Sequence, residues 1–308
     1  MRHLWKVLVV AALALAVLPA GASAQQAVAC GAVLTTDTVL TADLVDCPGD
    51  GLVVGADGIR ITLNGHSITG TGAPGSAGVR NQGHDGVTIE DGDFVRLDIS
   101  GFQTGILLVG ADRNRVRDLF VEGSSRGIAL VRSTGNLLER NAARGGSFNR
   151  CDSPAFVAIA LFRSSRNLLR DNIAELSDFG ISLSGSNRNR IERNQAAPLG
   201  SDGNACTGIA LFGAHDNAVE GNIAANNVHV GIHVRRLSRG TRIAANLAQF
   251  NGGGDGILVD NPQTTITGNT ANDNLDYGIE AVAGVTDGGG NTASGNGNPA
   301  QCLNVACA

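Results

Sequence analysis

An isoleucine that is preceded by glycine, or once by alanine, and followed two positions later by an aliphatic residue occurs eight times between residues 105 and 294. The full unit is Gly-Ile-x-aliphatic, a polar turn, and then usually Asn-x-aliphatic-x-x-Asn-x-Ala. It begins at Gly105, Gly127, Ala158, Gly180, Gly208, Gly231, Gly256 and Gly278. Successive starts are 22, 31, 22, 28, 23, 25 and 22 residues apart. This period is about one coil of a solenoid, and two coils carry insertions.

The aliphatic residues within each unit have strand spacing. Ile106 and Leu108, or Ile181 and Leu183, are two apart, which is typical of a strand with one buried face. A second short strand is predicted around Val116, Leu138, Leu169, Ile191, Val219, Ile243 and Ile266. A small residue follows at Ala143, Ala174, Ala196, Ala224, Ala248 and Ala271. Gly and Asn between the strands tolerate the left-handed backbone that a corner needs.

Stacking these units places like residues above one another, about 4.8 Å apart. Ile ladders inside and Asn ladders at the turns are expected. One coil cannot bury its own apolar face, so stability comes from the stack. The sequence therefore predicts an all-β, single-domain parallel β-helix of roughly ten coils.

The chain divides into four predicted segments. Residues 1–24 have the charged start, apolar stretch and small residues at Ala22 and Ala24 of a secretory signal peptide. Residues 25–50 are expected to cap the first coil, 51–294 to form the repeats, and 295–308 to close the last coil. The insertions 144–154 and 197–206 leave the helix at the same point of their coils. No other long apolar run exists, so after signal removal we expect a soluble, secreted or periplasmic chain without a membrane segment.

The composition of the chain excludes several classes of partner and of catalytic group. The formal net charge is -5, and removing the signal with Arg2 and Lys6 lowers it to -7, so nucleic acid is not an expected partner. The chain's only lysine, tryptophan and methionine are Lys6, Trp5 and Met1. The mature chain therefore has no lysine for catalysis, no indole to stack on sugars and no thioether for copper.

Six cysteines in an exported chain favour disulfides. Cys30 is expected to pair with Cys47, and Cys302 with Cys307. Cys151 and Cys206 lie one in each insertion, and a bond between them would tie the two loops together. A zinc site is the weaker interpretation, since no CxxC or compact Cys/His cluster accompanies them.

The GI-x-L-x(5)-N-x-[VIL]-x-x-N units and the lead-in DCPGDGLVVGADGIRITLNGHSITG resemble the repeat of the right-handed, pectate-lyase-like superfamily. Within it, the chain is most similar to exported proteins with the periplasmic NosD-type β-helix domain. The resemblance covers nearly the whole mature chain and implies a right-handed helix and a polysaccharide partner. The superfamily includes lyases, hydrolases, epimerases and non-enzymatic binders, so it does not select among them.

Polar residues gather on the outward side of the last three regular coils. We predict a catalytic patch there that consists of His233, Arg235, Asp260, Tyr277 and Glu280. Four of these residues lie two or four positions after the first residue of a repeat unit, and Tyr277 lies just before the unit that begins at Gly278. Substrate contacts are expected from His229, Arg236, Phe162 and Phe212, with burial of the two phenylalanines beneath the disulfide-tied loops as the alternative. In a lyase or epimerase, Arg235 or a bound calcium would neutralise a uronate carboxylate. His233 or Tyr277 would then take the neighbouring proton.

Other interpretations of the same residues stay open. Asp260 and Glu280, roughly 8 Å apart, suit an inverting hydrolase. Arg235 and Asp260 share a column, where a plain surface ion pair is expected. The stretch 251–260 resembles a calcium β-roll nonapeptide without its nine-residue recurrence, so a Gly-rich corner is the main interpretation and Ca2+ the alternative. No other metal is expected.

The superfamily's known catalytic patterns are incomplete in this chain. The GHG and RxK motifs of galacturonases are missing, and a Lys/Arg pair is impossible without a mature lysine. The absence of methionine disfavours copper. The leading prediction is a protein that binds or processes an extracellular polysaccharide, with lyase or epimerase chemistry preferred over hydrolysis. The alternatives are a non-catalytic binding module and a structural scaffold.

Overall fold

A computed structural model describes residues 28–92, 97–146, 156–196, 204 and 206–308. Within these ranges every regular element is a β-strand, and all strand pairs are parallel. Three strands per coil form three sheets that wrap around one core. No helix capable of crossing a membrane occurs in the described ranges. The fold is the predicted parallel β-helix, with about 11 turns.

Sheet 1 contains the Gly-Ile-x-aliphatic strand of each coil. Its strands follow in the order β1 (Ala32–Leu34), β4 (Leu52–Val54), β7 (Ala77–Gln82), β9 (Ile99–Val109), β11 (Phe120–Val131), β14 (Val157–Phe162), β17 (Phe179–Ser184), β19 (Thr207–Phe212), β22 (Val230–Val234), β25 (Ile257–Val259), β28 (Ile279–Ala281) and β31 (Cys302–Leu303). The register aligns all eight predicted isoleucine positions, from Ile106 to Ile279.

Sheet 2 contains the second predicted strand. Its order is β2 (Thr38–Val39), β5 (Arg60–Thr62), β8 (Thr88–Glu90), β10 (Arg115–Arg117), β12 (Leu137–Glu139), β15 (Leu168–Arg170), β18 (Arg190–Glu192), β20 (Ala218–Glu220), β23 (Thr241–Ala244), β26 (Thr264–Thr267) and β29 (Thr286–Asp287). Val116 to Ile266 stack in one column, as predicted.

Sheet 3 carries the small residues. Its strands are β3 (Leu44–Cys47), β6 (Ile68–Gly70), β13 (Ala142–Arg144), β16 (Ile173–Glu175), β21 (Ile223–Ala225), β24 (Leu247–Gln249), β27 (Thr270–Asn272) and β30 (Thr292–Ser294). The long strands β9 and β11 run from sheet 3 into sheet 1. Ala224, Ala248 and Ala271 stack directly and are fully buried, so this side of the core is narrow.

Buried asparagines form three ladders along the helix, as the sequence predicted. Each side-chain amide hydrogen-bonds the next asparagine, typically at 2.8–3.1 Å. The longest runs through Asn141, Asn172, Asn194, Asn222, Asn246, Asn269 and Asn291. The other two are Asn136, Asn167, Asn189 and Asn217, and Asn204, Asn227, Asn251, Asn274 and Asn296. Their amides also donate to buried backbone carbonyls, as Asn194 Nδ2 does to Leu169 O at 3.0 Å.

The glycines of five units, Gly180, Gly208, Gly231, Gly256 and Gly278, face this third ladder. A Cβ on Gly208 would lie 2.7 Å from the Gly231 carbonyl oxygen and 2.8 Å from Asn227 Nδ2. The small residue therefore permits the close approach of backbone and amide ladder.

The left-handed corner residues differ from the expectation of Gly and Asn. Glycine does fill many of these positions, but most asparagines lie in the ladders instead. Among the described residues, seven arginines have positive φ near 50°: Arg113, Arg132, Arg140, Arg163, Arg166, Arg188 and Arg193. The prediction is confirmed for glycine and did not include arginine, whose backbone N–H groups at these corners donate to carbonyls of the next coil.

The ends of the helix are closed by disulfides. Cys30 bonds to Cys47 and Cys302 to Cys307, as predicted. The segment expected as a cap supplies β1, β2 and β3, which pair with β4, β5 and β6 of the next coil. Cys206 is also disulfide-bonded, whereas Cys151 lies outside the described residues, as do the signal peptide and most of both insertions.

Candidate functional site

The outward face of sheet 1 presents the predicted columns in register. The first column contains Leu107, Ala129, Ala160, Ser182, Ala210, His233, Leu258, Glu280 and Leu303. The second contains Val109, Val131, Phe162, Ser184 and Phe212, and the ladder hydrogen bonds extend it to Arg235, Asp260 and Val282. The periodicity of the sequence therefore brings distant polar residues onto one surface.

His233 and Asp260 form a direct pair on this face. His233 Nε2 lies 2.9 Å from Asp260 Oδ2, and the two side chains are 13% and 36% exposed. The pair is diagonal across one coil boundary, because His233 belongs to the first column and Asp260 to the second. The hydrogen bond from His233 lowers the pKa of Asp260, and the nearby charges of Arg236 and Arg235 lower it further. Asp260 is thus an ionised carboxylate that orients the imidazole.

A pair of acidic residues, Asp255 and Glu280, lies at β25 and β28, the two sheet 1 strands that follow β22. Asp255 is 5% exposed and precedes β25, and its carboxyl is within hydrogen-bonding reach of the Glu280 carboxyl. Burial, together with the charges of Glu280 and Asp276, raises the pKa of Asp255 to about 7. The Tyr277 backbone N–H donates to Asp255 Oδ1 at 3.0 Å, which opposes the rise. Near neutral pH the Asp255 carboxyl is therefore partly protonated and can donate a proton.

Arginine stacks on phenylalanine at two places on the face. The Arg235 guanidinium carbon lies 4.5 Å from the Phe212 ring centroid, and that of Arg126 lies 4.9 Å from the Phe162 centroid. Phe212 also meets buried Phe179 edge-on, with ring centroids 5.6 Å apart. Both predicted phenylalanines are therefore partly buried parts of an aromatic and cationic surface.

The remaining predicted site residues lie outside the His233–Asp260 pair and the arginine–phenylalanine stacks. His229 and Arg236 are exposed at the margins of the face. Asp260 forms an ion pair with His233, and the charge of Arg235 also acts on the Asp260 carboxylate. Asp255, not Asp260, meets Glu280. The Gly-rich stretch after Asn251 is a corner, and Asn251 itself belongs to the third ladder.

Two residues were missing from the predicted set. Asp255 was visible as an acid just before a strand, but only its burial and its contact with Glu280 distinguish it. Arg126 lies one position before the Gly slot, in register with Thr104 and Val157. Burial lowers the pKa of Arg126. Neither environment can be obtained from periodicity, since both depend on side-chain packing.

A family comparison covers most of the repeat array. The profile described as "Periplasmic copper-binding protein (NosD)" matches residues 47–248, which is more than half of the chain. The chain belongs to the NosD family. NosD is a periplasmic family, and the disulfides suit such a compartment, so the expected secreted or periplasmic location is confirmed. No curated protein sequence matches this NosD-family chain.

Solved structures share the fold. The Dettilon tailspike protein matches with TM-score 0.54 and 18% identity, over 87% of this chain and 61% of its own. A mutant of the periplasmic alginate epimerase AlgG matches with TM-score 0.53 and 13% identity, over 83% and 77%. The A-module of the Azotobacter vinelandii mannuronan C-5 epimerase AlgE6 matches with TM-score 0.52 and 14% identity, over 90% and 91%. The chain spans about three fifths of the tailspike's length. These likenesses establish the right-handed parallel β-helix.

The family description names copper, which prefers thiolate, thioether or imidazole ligands. In the described part of the chain, no three His, Cys, Asp or Glu side chains come together as a metal site. Cys30, Cys47, Cys302 and Cys307 are consumed by disulfides. These residues do not fit a copper ion, and copper takes no part in the function proposed for the chain.

Proposed function

We propose that this exported β-helix binds and processes an extracellular polysaccharide on the outward face of sheet 1, by lyase or epimerase chemistry on an acidic sugar. The His233–Asp260 pair beside the Arg235–Phe212 stack carries the proposal. It combines an oriented base, a fixed cation and an aromatic surface. Two of the similar structures are named as alginate or mannuronan epimerases, which supports a carbohydrate role.

The first step of such a reaction is removal of the proton next to the uronate carboxylate. Arg235 neutralises that carboxylate, which makes the adjacent C5–H more acidic. Asp260 accepts a hydrogen bond from His233 Nε2, so the Nδ1 lone pair is the one that takes the proton.

The second step decides between lyase and epimerase. In a lyase, the C4–O bond breaks as the C4=C5 bond forms, and the departing oxygen receives a proton. In an epimerase, a proton returns to the opposite face of C5. Asp255, whose raised pKa leaves it partly protonated near neutral pH, supplies the proton in either case.

A non-catalytic binding module is the second candidate. It is favoured by the two arginine–phenylalanine stacks, which place sugar-binding groups on the face whether or not a base is positioned.

The deciding experiment incubates residues 25–308 with acidic and neutral polysaccharides, with and without calcium. Unsaturated-uronate absorbance follows elimination, deuterium incorporation from heavy water follows epimerisation, and reducing ends follow hydrolysis. Product that disappears in His233→Ala and Arg235→Ala supports the proposal. His84→Ala is the control, because His84 also contacts an aspartate, Asp57, at 3.2 Å but in an N-terminal coil. Binding without product favours the module, and equal product in all variants contradicts the assigned residues.

A further inference from the structure

Arginines occupy equivalent positions in adjacent coils at the corner that follows sheet 1. Arg132 and Arg163 occupy the same corner position in adjacent coils, since the Arg132 N–H donates to Phe162 O and the Arg163 N–H to Ser184 O. Three residues further on, Arg166 and Arg188 occupy a second shared position, with the Arg166 N–H donating to Asn187 O. Backbones in neighbouring coils are about 4.8 Å apart. Four exposed guanidinium groups therefore crowd along one edge.

This arrangement of arginines reduces the stability of the fold in two ways. All four residues have positive φ, between 49° and 56°, which an L side chain disfavours. Like charges in directly adjacent strands also repel. Glycine occupies the first position in the flanking coils, at Gly110 and Gly185. The fold therefore does not require arginine there.

The next corner of the same coils shows how this chain otherwise places arginine. Arg140 and Arg193 have the same left-handed backbone, but each has an aspartate one coil away. Arg140 contacts Asp118 at 2.7 Å, and Arg193 contacts Asp171 at 2.8 Å. Among the residues that the structure describes, no acid forms such a pair with Arg132, Arg163 or Arg166. Arg188 has only a 3.7 Å contact with Asp216.

Two depressions lie beside these arginines. One, of about 540 Å³, is lined by Arg132, Arg163, Phe162, Ser184, Val131 and Gly185. The second, of about 300 Å³, is lined by Arg166, Arg188, Ser165, Asn187, His215 and Asp216. Arg126 stacks on the Phe162 ring with its Nε buried and without a hydrogen-bond partner. The edge thus combines four arginines, hydroxyl and amide groups and one aromatic ring with a single carboxylate, Asp216, and this excess of cations suits an anionic sugar chain.

We propose that Arg132, Arg163, Arg166 and Arg188 form an anion-binding strip that holds an acidic polysaccharide through its carboxylate or sulfate groups. The strip rests on the proposed function, because it assumes a polysaccharide partner and specifies an acidic one. From Arg163 to Arg235 is three coils, or about 14 Å along the axis. A chain held on the strip therefore continues onto the face that carries His233. The net charge of -5 disfavours a nucleic acid as the occupant.

The test is binding of residues 25–308 to fluorescent oligomers of polygalacturonate, dextran sulfate, neutral dextran and duplex DNA. The strip variant is Arg132→Gly with Arg163→Gly, and the control is Arg140→Gly with Arg193→Gly. Both double variants remove two charges from left-handed positions. We expect the strip variant to raise the Kd for an acidic polysaccharide about tenfold or more, as loss of charge-assisted contacts does. The control should change it less than twofold.

The outcomes separate the strip from the broader function. Comparing carboxylated with sulfated oligomers identifies the anionic group. Equal losses in both double variants, tighter binding of DNA, or binding of neutral dextran alone overturn the strip. After equal losses in both double variants the proposed function stands, because the wild type still binds an acidic polysaccharide, whereas binding of neutral dextran alone also contradicts chemistry on an acidic sugar. Binding of no polysaccharide at all overturns both.

Discussion

His233 Nε2 lies 2.9 Å from Asp260 Oδ2, although the residues are 27 positions apart in the chain. One coil of the helix closes that separation, and the diagonal between two outward columns brings the side chains together. The same geometry places Arg235 over Phe212 in the column of Asp260. A repeat whose buried positions are nearly uniform thus builds a non-uniform surface in its last coils.

The pairing predicts a positioning role for Asp260. Asp260→Asn keeps the shape but removes the charge that orients the imidazole, so kcat should fall up to about 100-fold with little change in KM. The pH profile of kcat/KM should also shift, because the imidazole loses its ionised partner. Asp57→Asn, which removes the partner of His84, is the control. An unchanged pH profile in Asp260→Asn would contradict the role.

Asp255 predicts an unusual dependence of stability on pH. Its pKa is raised from 3.8 to about 7, so the folded state holds a proton that the unfolded state has released. The stability this proton contributes is complete below about pH 4 and is lost as the pH rises to about 7. Asp260, with its lowered pKa, is ionised throughout pH 5–8 and adds no slope there.

The Tm of the wild type should fall between pH 5 and pH 8. In Asp255→Asn this fall should be smaller, by several degrees at pH 8. The amide oxygen can still accept from the Tyr277 N–H. Thermal melts of this variant and of Asp46→Asn, an exposed acid in an N-terminal coil, measure the difference. Parallel curves for the wild type and Asp255→Asn would rule out the buried proton.

The asparagine ladder predicts a large loss from one small change. Asn194 is fully buried, donates to Leu169 O and Asn222 Oδ1, and accepts from Asn172. Asn194→Ala leaves these groups unsatisfied and should cost roughly 2–4 kcal/mol of unfolding free energy. Urea denaturation measures it, with Asn226→Gly at an exposed corner as control. A loss below about 1 kcal/mol would mean that the ladder is not a stabilising network.

If the arginines of the anion-binding strip are kept for a ligand, replacing them should not reduce the stability of the fold, in contrast to the loss expected for Asn194→Ala. Replacing Arg132 and Arg163 with glycine removes left-handed side chains and a like-charge contact, at the cost of a more flexible unfolded chain. We expect the double variant to be as stable as the wild type, or up to about 1 kcal/mol more stable. Chemical denaturation checks this. A clear destabilisation would show that the arginines are kept for the fold and not for a ligand.

The regular fold was predictable because it is carried by local periodicity. Ile181, Leu183 and Ile191 lie at the spacings that the stacked strands require, and the asparagines fall where the ladders run. The site was only partly predictable. Column positions placed His233 and Asp260 on one face, but not the burial of Asp255, which depends on packing around it. The arginines of the corners were missed because their backbone conformation is imposed by neighbouring coils.

The central claim is that the outward face of sheet 1 binds polysaccharide. Affinity electrophoresis of residues 25–308 through gels that each contain one polysaccharide tests it most directly. We compare the wild type with Phe212→Ala plus Arg235→Ala, and with Arg190→Ala plus Arg242→Ala on sheet 2 as control. The account predicts that an acidic polysaccharide retards the wild type and the control but not the sheet 1 variant. Free migration of the wild type in every gel, or equal retardation of all three proteins, would contradict it.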